Sequence, residues 1–260
     1  MVLHGISRRT LLLLVTTSVA VLFCSGCMGK AKVEKSKARR CVVVWSEGTA
    51  PKKVYPNDIC GEIAEGLKEL KGWEVVEAHL SDPCQGLSDE LLNRTDVLIW
   101  WGHIRHPQVK DELVDKIVKR VKDDGMGYIA LHSSHFAKPN KMLMGSPCSW
   151  GAYLGDSNTL TITVKAPSHP IAKGVSGFTI AHSERYSEPY AVPEPTAVVF
   201  EGTYTLKNGG TDASRQGLAW DVGKGKVFYF QPGHETNPVF FDPNIRRIMA
   251  NAVEWAAPKK

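Results

Sequence analysis

From residue 41 onward, apolar runs recur along the chain and alternate between two periods. Residues 41–45, CVVVW, read as a buried strand. In 58–70, Ile59, Ile63, Leu67 and Leu70 recur at helical spacing. Residues 74–80 read as a second strand, 88–92 as a short helix, and 96–101 as a third strand. The third strand is nearly free of charge, as expected when both faces of a sheet are covered. The next helix has Pro107 at its first turn, an apolar stripe of Val109, Leu113, Ile117 and Val121, and Gly125 as its stop. A strand over 127–131 follows. Strands alternating with helices predict βαβ units and a parallel sheet.

The second half changes pattern. Leu160, Ile162 and Val164 alternate with threonines, so this strand has one wet face. A strand over 197–200 follows, then a hairpin over 217–230 turning at Gly223-Lys224-Gly225. A helix over 244–255 closes the chain and buries Ile248, Ala252 and Trp255. No linker divides 41–260, which predicts one domain.

Three of the apolar strands run directly into histidine. DVLIWW (96–101) leads to His103 and His106; GYIAL (127–131) leads to His132 and His135; VFYF (227–230) leads to Gln231-Pro232-Gly233-His234-Glu235. In an open parallel α/β sheet, ligands bind beyond the carboxyl ends of the strands. His103 and His132, joined by one crossover, are expected on one rim. His234 joins them only if its strand runs in the same sense. Neutral imidazoles converging in this way suit zinc and similar divalent metals, with about three protein ligands and one open position. The segment 183–188, SERYSE, offers Glu184 and Glu188 as a further ligand or a base. Simpler readings stand beside these. His106 precedes Pro107 and suits a helix start. His169 precedes Pro170 and suits a turn. A pair of glutamates can be a solvated face.

Composition narrows the picture little. The 260 residues are 43% hydrophobic and 23% charged, with a net charge of +5. Lys and Arg concentrate in the first 40 residues, so the rest shows no basic face for nucleic acid. Arg8-Arg9 precede a mostly apolar stretch, 11–23, too short to span a bilayer comfortably. The run 7–12, SRRTLL, resembles a twin-arginine signal. Cys24-Ser25-Gly26-Cys27 resembles a lipoprotein box, with Cys24 where leucine is usual. Residues 1–27 are therefore expected to be an export signal with lipid attachment at Cys27, and 28–40 a flexible tether. The product would be periplasmic or on the cell surface, touching membrane only through that anchor. Cys41, Cys60, Cys84 and Cys148 form no CxxC pair, which disfavours a cysteine zinc site.

Other chemistries fit less well. The serines of 131–135 lack the glycines of a nucleophile elbow. There is no Walker loop and no GxGxxG fingerprint after a strand.

The motifs WWGHIRHPQV (100–109), GMGYIALHSSHFAKP (125–139), HPIAKGV (169–175), ERYSEPYAVPEP (184–195), GKVFYFQPGHETNP (225–238) and NAVEWA (251–256) resemble, in this order, the trehalose-utilisation (ThuA-like) family. Ser187 stands where that family has glycine. The resemblance implies a flavodoxin-like fold of the class I glutamine amidotransferase type. That is a three-layer α/β sandwich with a mostly parallel central sheet and added β-hairpin elements. The amidotransferase cysteine has no counterpart, because His132 and Ser133 follow the strand. The family's association with disaccharide and keto-sugar catabolism implies a small-molecule carbohydrate as substrate.

Together these readings predict an exported metal-dependent enzyme on a sugar or keto-glycoside, acting as isomerase, lyase or hydrolase. His103, His132 and His234, with His135 or Glu188, would hold the metal, zinc first. Glu184 or Glu188 would move a proton, with Tyr186 beside them. Tyr186, Trp100 and Trp101 would stack on the ring, and His106 and Glu235 would contact substrate. The alternative is a sugar-binding lipoprotein of the same fold that has no catalytic activity.

Overall fold

A computed structural model of the chain describes residues 39–259. The expected export signal with Cys27, and nearly all of the expected tether, lie outside the described residues. No helix among the described residues is long and apolar enough to cross a membrane.

One nine-stranded sheet organises the domain. Its parallel part comprises β1 (Arg40–Ser46), β2 (Trp73–His79), β3 (Val97–Trp101), β4 (Gly127–Leu131) and β9 (Gly225–Phe230). They lie in the order β2-β1-β3-β4-β9. The order then continues antiparallel through β8 (Thr211–Val222), β7 (Ala197–Thr205), β5 (Trp150–Val164) and β6 (Phe178–Tyr190). The expectation of a mostly parallel sheet is corrected. Parallel and antiparallel pairings are equal in number, and the antiparallel ladders are the longer. The sequence reading missed β6 altogether, because its charged run HSERYSE looks like a solvated loop.

Strand alternation explains the three layers. Val42, Val44, Val97, Ile99 and Trp101 face one core, while Val43, Trp45, Leu98 and Trp100 face the other. On the first face pack α1 (Asp58–Leu67) and α5 (Pro243–Ala256), through Ile59, Ile63, Leu67, Ile245, Ile248 and Ala252. On the second pack α3 (Asp111–Asp124) and α4 (Lys138–Met144), preceded by the short α2 (Asp89–Arg94). Leu113, Val114, Ile117 and Val121 are the buried stripe of α3. Full burial of each such side chain contributes about 1.5–3 kcal/mol.

Helix ends follow their chemistry. Asp242 caps α5 by accepting from the amides of Asn244 and Ile245, ahead of Pro243 at the first position. Gly125 ends α3 at φ +83°, where glycine costs nothing. The start of α3 differs from expectation: Pro107 belongs to a separate 3-10 turn, His106–Gln108. The segment after β4 was not foreseen as helical. It forms a 3-10 turn over His132–Phe136 and then α4.

Candidate metal and substrate site

In the register of the sheet, Trp101 pairs with Leu131 and Leu131 with Phe230. The ends of β3, β4 and β9 are therefore level, and all three strands point the same way. The condition on His234 is met. The ring centroids of His103, His132 and His234 are 5.1–6.0 Å apart.

Each imidazole is oriented from behind. The Nδ1–H of His132 donates to the carbonyl of Gln231 at 2.9 Å. A carbonyl only accepts, so in neutral His132 the Nε2 atom is a bare lone pair. His132 itself has φ +51°, a sparsely populated conformation for a side-chain-bearing residue. Gly233 passes close behind it: a Cβ there would lie 3.1 Å from the Cβ of His132. The indole of Trp101 donates to the Gly233 carbonyl at 2.9 Å and pins that loop. The Nδ1–H of His103 donates to both carboxylate oxygens of Glu235, at 2.7 and 2.8 Å. That bond raises the His103 pKa above its ordinary value, against burial. His234 Nδ1 accepts from the Thr236 amide at 3.2 Å and lies 2.7 Å from the Thr236 hydroxyl, and burial followed by the charge of His132 lowers its pKa.

The antiparallel part closes the site. Glu184 Oε2 lies 3.0 Å from His132 Nε2. Tyr186, buried, places its hydroxyl 3.1 Å from the same nitrogen and 2.7 Å from the Ser133 hydroxyl. Burial acts to raise the Glu184 carboxyl, but the hydrogen bond and charge of His132 and the charge of His234 outweigh it and hold it at about 2. Two sets of ligand atoms each fall within 4.8 Å of one another: His132, Glu184 and His234, and His103, His234 and Glu235. His234 belongs to both sets.

Several expected residues stand elsewhere. Trp100 and Trp101 are fully buried, so neither stacks on a sugar. The Trp100 ring stacks on Trp45 at 3.7 Å. The aromatic ring exposed beside the cluster is Tyr153, which packs edge-on against Tyr186 at 5.1 Å. His135 is not with the other imidazoles. Its Nδ1–H donates to the Cys148 carbonyl at 2.7 Å, and burial pushes its pKa down to about 3. Glu188 is also apart. Four residues of extended strand carry it about 13 Å from Glu184, where it accepts from Arg215 Nε, Nη2 and amide at 2.9–3.1 Å. It is a structural ion pair, not a ligand or base. His106 packs against Gly102 with Nε2 buried and unpartnered, and burial lowers its pKa.

Two contributors escaped the sequence reading. Glu47, buried just past β1, accepts from the amides of Ile104 and Arg105 at 2.8 and 2.9 Å and so holds the loop that carries His103. An acid directly following a buried strand on the same rim was the available signal. Ser134 accepts from the Gly102 amide at 2.8 Å and donates to the Trp100 carbonyl at 2.9 Å, tying the β4 turn to the β3 end.

The family model for ThuA, described as trehalose utilisation, matches residues 41–256. The chain belongs to the ThuA family. None of the curated proteins matches its sequence. Among solved structures it is similar to a protein of Bacteroides uniformis described as ThuA-like, at 17% identity and TM-score 0.58, covering 86% of this chain and 94% of that one. A ThuA-like protein of Parabacteroides merdae gives 12% identity and TM-score 0.58, covering 85% and 90%. A glutamine amidotransferase of Thermotoga maritima gives 9% identity and TM-score 0.51, covering 84% and 97%. At such identities the likeness is one of fold. Within that fold, the turn after β4 in this ThuA-family chain carries an imidazole, His132, followed by serine.

Proposed function

We propose that this ThuA-family chain is an exported, metal-dependent enzyme acting on a disaccharide or keto-glycoside. One observation carries the metal. The lone pair of neutral His132 Nε2 faces the carboxylate oxygen of Glu184 at 3.0 Å, and that oxygen is buried with no hydrogen bond of acceptable geometry. A cation beside the two atoms would relieve their repulsion, and it is this contact that supports a metal. The donor set of imidazoles and carboxylates suits zinc, with manganese, nickel or iron as alternatives.

His132, His234 and Glu184 would hold the ion, with His103 at its edge. When bound, the metal supplies Lewis-acid polarisation of a sugar carbonyl or hydroxyl pair. Glu184, ionised at every physiological pH, serves as ligand and charge, so proton transfer passes to His103. The hydrogen bond to Glu235 raises the pKa of His103 above the ordinary histidine value, and a hydrogen-bonded imidazole at the cluster's edge suits a group that takes and returns a proton beside a ketone. The Tyr186 hydroxyl, hydrogen-bonded to Ser133, offers a donor to a sugar oxygen. Tyr153, partly exposed, offers a face for the ring. The features of residues 7–27 support export.

A second reading rests on the same contact. A protonated His132 would satisfy Glu184 as a simple ion pair, which suits a sugar-binding lipoprotein without catalytic activity. Elemental analysis of protein produced with divalent metals supplied separates the two. The enzyme reading expects His132→Ala to carry about one metal per chain less than wild type and to lose turnover of a keto-glycoside. Equal metal in both proteins, with only sugar binding weakened, would establish the binding module instead.

A further inference from the structure

A second group of metal-binding side chains lies at the same end of the sheet, outside the histidine cluster. Asp58 opens α1, Cys60 lies in its first turn, and His79 ends β2. Cys60 Sγ is 3.0 Å from His79 Nε2 and 3.7 Å from Asp58 Oδ2, and His79 Nε2 is 3.9 Å from Asp58 Oδ2. A tetrahedral zinc ion with ordinary Zn–S, Zn–N and Zn–O bonds sets its ligand atoms about 3.3–3.6 Å apart. The three edges bracket that range.

The surroundings match a metal site more closely than a chance meeting. Asp82 Oδ2 accepts from the His79 amide at 2.8 Å and lies 3.4 Å from His79 Nδ1. This carboxylate lies on the Nδ1 side of the ring and leaves Nε2 facing Cys60, where a carboxylate behind a metal-bound histidine stands. Ser46 donates to Asp58 Oδ2, a bond of the kind that fixes a ligating carboxylate. The other oxygen, Asp58 Oδ1, is buried with no partner. Asp58 is held at φ +61°, away from the helical conformation of the residues after it. Burial pushes the Cys60 thiol up to about 12, so without a cation it is a neutral SH.

We infer that Asp58, Cys60 and His79 bind a second divalent metal, of the zinc class, through one thiolate, one imidazole and one carboxylate. Binding displaces the Cys60 proton to solvent. With three protein ligands and His79 about one-third exposed, the fourth position is left to water and the ion exchanges more readily than one in a closed four-ligand site. The thiolate excludes magnesium and calcium as natural occupants. The site would brace the rim. Ser46, which bonds Asp58, directly precedes Glu47, whose carboxylate holds the loop of His103.

Cobalt(II) titration of the full chain tests this. A thiolate ligand produces a near-ultraviolet sulfur-to-cobalt charge-transfer band, and a site of imidazoles and carboxylates produces none. Wild type should show the band. His132→Ala and Cys84→Ala should keep it, and Cys60→Ala and His79→Ala should lose it. After zinc loading and dialysis, Cys60→Ala and His79→Ala should each hold about one zinc fewer than wild type. His79 is partly exposed, so that variant keeps the test available if the core change at Cys60 prevents folding. Absence of the band in wild type, its survival in both variants, or unchanged zinc content overturns the inference. A band that persists in His132→Ala while that variant loses no metal would sink the histidine-cluster proposal and leave this one standing.

Discussion

The two halves of the sheet contribute to the site in different ways. The parallel half offers three imidazoles from three short strands whose register is locked and whose faces are both covered. The antiparallel half offers Glu184 and Tyr186 from β6, a long strand whose pairing with β5 is interrupted by shifts of register. Bulges bend strands and re-aim side chains. The histidines are thus set by the ends of regular core strands, whereas the carboxylate and the phenol arrive on a strand of irregular register, with Tyr186 packed into the second core. Metal affinity should depend most on the first half and substrate choice on the second.

The largest expected effect is on the parallel side. His132→Ala should weaken zinc binding by more than about 100-fold, since a ligand is worth more than its supporting shell. Competition against a chromophoric chelator measures it, and an unchanged affinity would remove the parallel half from the metal site. Next comes the contrast within β6. Glu184→Gln should weaken zinc by about 10–100-fold. Glu188→Gln should leave zinc affinity unchanged and cost about 1–3 kcal/mol of stability, by leaving Arg215 short of its partner. Denaturant midpoints read the second, and loss of zinc affinity in Glu188→Gln would reverse the assignment.

The two histidine–carboxylate pairs should then separate by pH in chelator-treated protein. Glu184 titrates near 2 when folded and near 4.5 when free, so its contribution is present above about pH 4.5 and is lost as pH falls toward 2. Glu184→Gln should flatten that acid limb. His103 shifts the other way. Its contribution is complete below about pH 6.5 and is lost as pH rises through its higher folded value. Glu235→Gln should remove that dependence, together with the share of the acid limb that Glu235 contributes through its own lowered pKa. The smallest effect belongs to Trp101→Phe, which deletes the bond to Gly233 and should cost about 1 kcal/mol in a thermal melt.

The same contrast explains what was legible in the sequence. Buried parallel strands announce themselves as continuous apolar runs, so the positions of β1, β3, β4 and β9, and the histidines just past them, could be read within a residue or so. Convergence of His103, His132 and His234 followed from topology plus one condition, the direction of β9. The antiparallel half was legible in part: the strands at 160–164 and 197–200 and the hairpin at 217–230 fall within β5, β7, β8 and β9, while β6 was missed because it mixes charge with apolar residues. Glu184 and Glu188 looked equivalent at a spacing of four, and only the extended backbone shows that such a spacing separates them. Trp100 and Trp101 misled for a related reason. Adjacent residues on a strand face opposite ways, and here both faces are core. Asp58, Cys60 and His79 come from two elements with no local motif, so no spacing rule would have joined them.

The level ends of β3, β4 and β9 also bear on how the chain reaches its native state. His132 and Gln231 are 99 residues apart, and His103 and Glu235 are 132 apart. The whole antiparallel half must be synthesised and looped out before β9 can return to β4. Contacts of such sequence separation form late, because loop closure precedes any gain from pairing. A slip of β9 by one residue would also turn its side chains to the wrong faces and carry His234 out of reach. The histidine cluster therefore exists only in molecules whose longest-range pairing has been made in the correct register, and a ligand that binds it would select those molecules.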